Sequence, residues 1–214
     1  MNNAEYFEKV STEIEELKCI REAEKAIVAR IIGPSLFKED LFFCASADRN
    51  MNLIDGYIEM LNTRNLTCAG ALLRLQMDNY MRTYAAFIAK NKKSVIDCMI
   101  KGGKISNQVD QDGNRMCDGY LKKVLCKFDS RFSDVYNQAS GYIHLSDKAF
   151  YQTVKKFDNY TIEWQIGAPL LERHYHVLIE ATQAFIHFTK LHNKMLTTVA
   201  ESKQQFDALY VAQV

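Results

Sequence analysis

Only two prolines and nine glycines interrupt 214 residues, so the chain has few places at which it can turn sharply. Sandwiches and barrels need such residues at every hairpin, and their scarcity predicts long uninterrupted helices instead. Hydrophobic residues at 48% and charged residues at 25% match a globular chain able to bury a substantial core. No internal repeat or linker composition divides the chain, which is read as one mostly helical domain over residues 1–214.

Periodicity supplies the elements. A helix is predicted over 3–31, with Phe7, Val10, Ile14, Leu17, Ile20, Ala23 and Ile27 as its apolar stripe, stopped by Gly33 and Pro34. A second runs from about 36 to 61, carrying Leu41, Phe42, Met51, Ile54, Ile58 and Leu61. A third runs from about 65 to 89, with Leu66, Leu73, Met77, Tyr80, Tyr84 and Ile88. Shorter helices follow near 92–101 and 119–127, separated by the polar "GGKISNQVDQDGNRMCDG", read as an exposed loop. Another is expected over 130–145 with Ser130 as N-cap. The period then changes from helical to alternating: Tyr160, Ile162, Trp164 and Ile166 interleave with Thr161, Glu163 and Gln165. With Asp158-Asn159 as the turn, 152–166 is predicted to be a β-hairpin. Gly167 and Pro169 then open a last helix to about 202.

Six cysteines sit mostly among apolar neighbours with no CxxC pair, the pattern of small buried hydrophobes in a reducing compartment. No stretch approaches the ~20 apolar residues that span a bilayer. The N-terminal residues carry no signal-peptide h-region, so a cytoplasmic protein without a membrane partner is expected. A net charge of +1 exerts no global pull toward polyanions. Residues 90–131 nonetheless hold ten basic side chains against five acidic ones, a local +5 that permits a polyanion-binding face.

Two helical lines carry candidate chemistry. Tyr136, Ser140 and His144 recur every four residues in "VYNQASGYIHLS" and would share one helix face beside Gly141. His144 at the edge of that face suits general acid/base work, with Ser140 or Tyr136 orienting it. It equally suits a boundary histidine at a helix C-terminus. In "AGALLRLQMDNYMRTY", Arg74 interrupts an apolar run, with Asp78 at i+4 as its natural partner and Arg82 continuing the line. Such an arginine either faces a phosphate or carboxylate, or fixes helix register as a buried ion pair. Metal spacing is poor: His174 and His176 are i, i+2, and His187 and His192 are i, i+5. "DQDGN" resembles a calcium loop but misplaces Gly113 and lacks the closing Glu. No metal site and no cofactor are expected.

"ALLRLQMDNY" followed by "YNQASGYIHLS" resembles a pattern in bacterial helical proteins related to the HEPN superfamily. There, an Arg with an acidic residue four positions on lies in one long helix. A Tyr-x-x-x-Ser-x-x-x-His line lies in a later helix, before a hairpin and a final helix. Arg74 and Asp78 match the first element; Tyr136, Ser140 and His144 match the second. The resemblance implies an all-α, HEPN-like helical bundle with a small β-hairpin before the C-terminal helix. HEPN proteins include metal-independent ribonucleases, many of them toxins or phage-defence effectors, with an Arg-x4–6-His site usually completed across a dimer. By that resemblance RNA or a nucleotide is the ligand and the chain is a homodimer. His144 is then the acid/base and Arg74, oriented by Asp78, neutralises phosphate. Ser140, Tyr136 and Asn137 contact the substrate. This sequence departs from the pattern, since Asn137 stands seven residues before His144 and no Arg-x4–6-His occurs. The alternative is a helical binding or scaffold module whose polar pairs specify packing.

Overall fold

A computed structural model describes residues 1–144, 146–158, 160–167 and 169–211. Among them the chain forms eight α-helices and one two-stranded antiparallel hairpin, placed before the last helix. The helices are α1 (Asn3–Ile32), α2 (Lys38–Asn62), α3 (Leu66–Ile88), α4 (Lys92–Ile100), α5 (Asp118–Leu125), α6 (Phe132–Ile143), α7 (Asp147–Thr153) and α8 (Tyr175–Val211). The strands are β1 (Val154–Phe157) and β2 (Ile162–Trp164). No helix among the described residues is long and apolar enough to cross a membrane.

Local chemistry sets the ends. Asn2 and Glu5 form a reciprocal capping box at the start of α1, and Asn65 and Asn91 cap α3 and α4 through the amides of Cys68 and Ser94. Gly33 ends α1 with a positive φ of 51°, which costs a residue without Cβ little. Short turns make α1, α2 and α3 successive antiparallel neighbours, and α8 packs along both α1 and α3 to close a four-helix arrangement. Tyr57 of α2 stacks on Phe185 of α8, their ring centroids 4.0 Å apart, in a core that includes Tyr6, Leu17, Ile54 and Met77. The fourth side of α3 receives α6, so α3 is buried nearly all round.

Several expectations shift by a residue or more. On α1, Tyr6 rather than Phe7 enters the core, and Glu13 and Glu24 are buried beside it, because α8 covers that face. Ser130 does not cap α6: the helix starts at Phe132, after a turn whose Asp129 carboxylate accepts the Arg131 amide. The 102–118 segment is pinned rather than loose, with Ile105, Asp110 and Met116 buried and a bridge between Ala89 and Asp110. An additional helix, α7, precedes the hairpin. Asp158 holds the turn by accepting from the amides of Tyr160 and Thr161; Asn159 lies outside the described residues. The last helix begins at Tyr175, not near Pro169, and runs past 202. Arg173 causes the delay. Its guanidinium donates to the carbonyls of Val154 and Lys155, drawing the connection across the hairpin before the helix can start.

Candidate functional site

The line Arg74, Asp78, Arg82 runs half-buried along α3, and the structure partners it differently from the i, i+4 expectation. Arg74 does not pair with Asp78. Its guanidinium carbon sits 3.8 Å from the centroid of the Tyr136 ring, and its Nη2 donates to the Tyr136 hydroxyl. Asp78 instead faces Arg82 at 3.3 Å, and Arg82 reaches on to Asp118 in the first turn of α5. A ring face and hydroxyl across the α3–α6 contact thus replace the carboxylate as partner of Arg74. Burial pushes the Tyr136 hydroxyl pKa up, with Arg74 opposing.

Along α6 the predicted line breaks. Ser140 Oγ donates to the Tyr136 carbonyl at 2.8 Å, so its hydroxyl is occupied by its own helix. His144 is the C-cap, exposed and with extended backbone at φ −107°, ψ 151°. It stands eight residues beyond Tyr136, ~12 Å along a helix axis. Asn137 accepts from Lys122 Nζ at 3.4 Å, and that ammonium lies 5.2 Å from the Tyr136 ring. The fold therefore brings Arg74, Tyr136, Lys122 and Asn137 together, and Asp78 with Arg82; His144 does not join either group through any contact among the described residues.

Asp78 and Arg82 open instead onto a cleft of about 470 Å³ between α2, α3 and the turn after α4. Phe42, Met99 and Ile105 supply apolar walls, and Arg49 and Lys104 stand at it with no side-chain hydrogen bond or ion pair among the described residues. The Nη1 of Arg82 is buried and likewise unpartnered. Ser46, Asn79 and Thr83 form the polar floor. Behind them lies His192 of α8, fully buried, with Nε2 2.8 Å from Ser46 Oγ and 3.3 Å from Thr83 Oγ1. Its Nδ1 faces Glu24 Oε1 at 3.6 Å, while Glu24 Oε2 accepts from Asn50 at 2.6 Å. Burial pushes the Glu24 carboxyl up to about 8, against the Asn50 hydrogen bond, and pushes His192 down to about 4.

The sequence reading missed Ser46, Arg49, Lys104, His192 and Glu24 as a group. "CASADRNMN" does carry a signal, with polar Ser46, Arg49 and Asn50 at helical spacing within an otherwise core-forming segment. Nothing local marks Glu24 or His192. No metal-ligand cluster of three or more His, Cys, Asp or Glu side chains occurs among the described residues.

The class defined by fold and site is an all-α bundle with a hairpin before its last helix and a cationic cleft on one side. No protein-family model, curated protein or solved structure matches the chain.

Proposed function

We propose that this cleft binds the phosphate of a nucleotide, free or at the end of an RNA strand. One observation carries the reading: Arg49 and Lys104 meet at a partly apolar cleft with no protein carboxylate paired to either, and Arg82, held by Asp78 and Asp118, stands in its wall. Unpaired cations at a concave surface are the ordinary means of holding a phosphate, and apolar walls of this kind accept a base. The cleft also falls within the roughly 300–1,000 Å³ of small-molecule sites. The basic segment legible in the sequence contributes Lys104 here and Lys122 beside Tyr136.

Calorimetric titration with nucleoside mono- and triphosphates, and with a short RNA bearing or lacking a 5′-phosphate, tests the reading. Charge-assisted hydrogen bonds contribute about 1.5–3 kcal/mol each, so Arg49→Ala with Lys104→Ala should weaken binding by about a hundredfold or more. Wild-type protein that binds none of these, or a double variant that binds them as tightly, removes the proposal.

The HEPN resemblance extends the reading to metal-independent RNA cleavage by a homodimer, with His144 as acid/base and Arg74 neutralising phosphate. Its support is the meeting of Arg74 and Tyr136, the two motif elements, across α3 and α6. RNA incubated with chelator and wild type, Arg74→Ala or His144→Ala is the test; identical products from all three end the cleavage reading, and a monomer by light scattering ends the dimer.

A further inference from the structure

We propose that Ser46, backed by His192 and Glu24, is a nucleophile for phosphoryl transfer from the phosphate held in the cleft. The inference rests on the phosphate-binding reading and names the chemistry of that site. Three helices place the three side chains in series: Glu24 on α1, His192 on α8 and Ser46 on α2. Ser46 Oγ lies 2.8 Å from His192 Nε2, and His192 Nδ1 lies 3.6 Å from Glu24 Oε1. Buried polar atoms are normally satisfied, yet Nδ1 and Oε1 face each other with no other hydrogen-bond partner. Catalytic hydrogen bonds are commonly long before a ligand binds and tighten in the complex. His192 and Glu24 are fully buried, and of the three only Ser46 forms part of the cleft wall. The Ser46 hydroxyl thus has two neighbours for its proton, Thr83 Oγ1 and the base His192 Nε2, with the Glu24 carboxyl behind the imidazole and solvent excluded from both His192 and Glu24.

The step balances. The Ser46 hydroxyl proton passes to His192 Nε2 as the Oγ–P bond forms and the bond from phosphorus to the leaving oxygen breaks. The leaving oxygen takes that proton from His192. Water then attacks phosphorus, gives a proton to Nε2, and the P–Oγ bond breaks with the proton returned to Oγ. Arg49 and Lys104 are the cations available to the phosphoryl oxygens. The substrate class is a phosphoanhydride or phosphoester. His192 is the catalytic base and Glu24 the positioning residue, faced by His192 from α8, by Asn50 from α2 and by Arg21 on its own helix.

Diisopropyl fluorophosphate applied to the intact protein provides the test, because it phosphorylates an activated serine without needing a cationic subsite. The expected result is a single adduct mapped to Ser46 by peptide mass spectrometry, absent in Ser46→Ala. His192→Gln should slow labelling by about a hundredfold or more, the usual contribution of a general base. The wild-type labelling rate should rise as pH climbs through about 8, and Glu24→Gln should lose that rise, which a purely structural carboxyl would not control. A native protein left unlabelled at Ser46 overturns the proposal whatever the variants do, as does His192→Gln labelling at the wild-type rate. Competition by adenosine triphosphate separates the two readings: phosphate binding without labelling overturns the nucleophile alone. Labelling that the nucleotide neither slows nor binds beside keeps the nucleophile and overturns the cleft as its phosphate site.

Discussion

Gly70 on α3 shows how much a single position can owe to a distant one. A Cβ added there would fall into the ring of Tyr142 and within 2.8 Å of its Cβ, so the absence of a side chain is what lets α6 close on α3. Alanine improves helix propensity by about 0.5–1 kcal/mol, while overpacking of this kind costs about 1–3 kcal/mol. Overpacking wins, and Gly70→Ala should destabilise the fold by about 1–2 kcal/mol in urea melts; a variant as stable as wild type would show that α6 can move away freely. In the sequence Gly70 reads only as a small residue near Arg74. Arg74 itself illustrates the same limit, since its i+4 neighbour Asp78 is visible in the sequence whereas Tyr136, 62 residues on, is not.

At the level of elements, α8 is held at its far end by a buried charge cluster. Lys203 Nζ lies 2.9 Å from Asp207 Oδ2 and 3.7 Å from Asp40 Oδ2, and donates to the Ser35 carbonyl between α1 and α2. All three charged residues are buried. Removing the cation leaves two buried carboxylates without a countercharge, Asp40 keeping the Phe37 amide as donor, a change that costs about 3–5 kcal/mol. Lys203→Met should therefore lower the melting temperature sharply and speed hydrogen exchange beyond residue 200; a loss under about 1 kcal/mol would mean the cluster is solvated. This cluster is also why α8 outruns the predicted end near 202. Lys203 and Asp207 look like solvent-facing residues by composition, and only the approach of the α1–α2 turn buries them.

Across the whole molecule, the buried polar layer couples stability to pH. Glu24, pushed up to about 8, holds in the folded state a proton that the unfolded chain releases above its ordinary value near 4.5. Its contribution is complete below that value and is lost as pH rises through 8. Glu13, pushed by burial up to about 7, acts in the same direction. His192, pushed down to about 4 from 6.5, contributes above 6.5 and loses its contribution as pH falls through 4. Between these ordinary values the Glu24 and His192 effects oppose each other, and above pH 6.5 only the glutamates act. One titrating group changes stability by at most ~1.4 kcal/mol per pH unit, so the Glu24 share between pH 6.5 and 8 is up to about 2 kcal/mol. Thermal melts should show stability falling over that window and a shallower fall in Glu24→Gln; equal slopes would place Glu24 outside the effect. The same deprotonation that weakens the fold leaves a carboxylate to receive His192 Nδ1–H, which ties loss of stability to activation of Ser46.

The three long helices α1–α3, the order of the elements and the hairpin were legible because they follow from local rules: a stop at Gly33, an apolar period of 3.6 and then of 2. The basic segment and the motif residues Arg74 and Tyr136 were legible for the same reason. The helix α7 and both ends of α8 were not, since the packing of the hairpin and of the α1–α2 turn decides them. Which polar residues turn inward was not. On a helix flanked by two others, each position lies within a step of some buried face, and the arrival of α8 decides that Glu24, Asn50 and His192 meet inside. Ser46 and His192 stand 146 residues apart, a distance over which no periodicity carries information. Their contact, and the cleft in front of it, exist because four helices pack with their polar layers at one level.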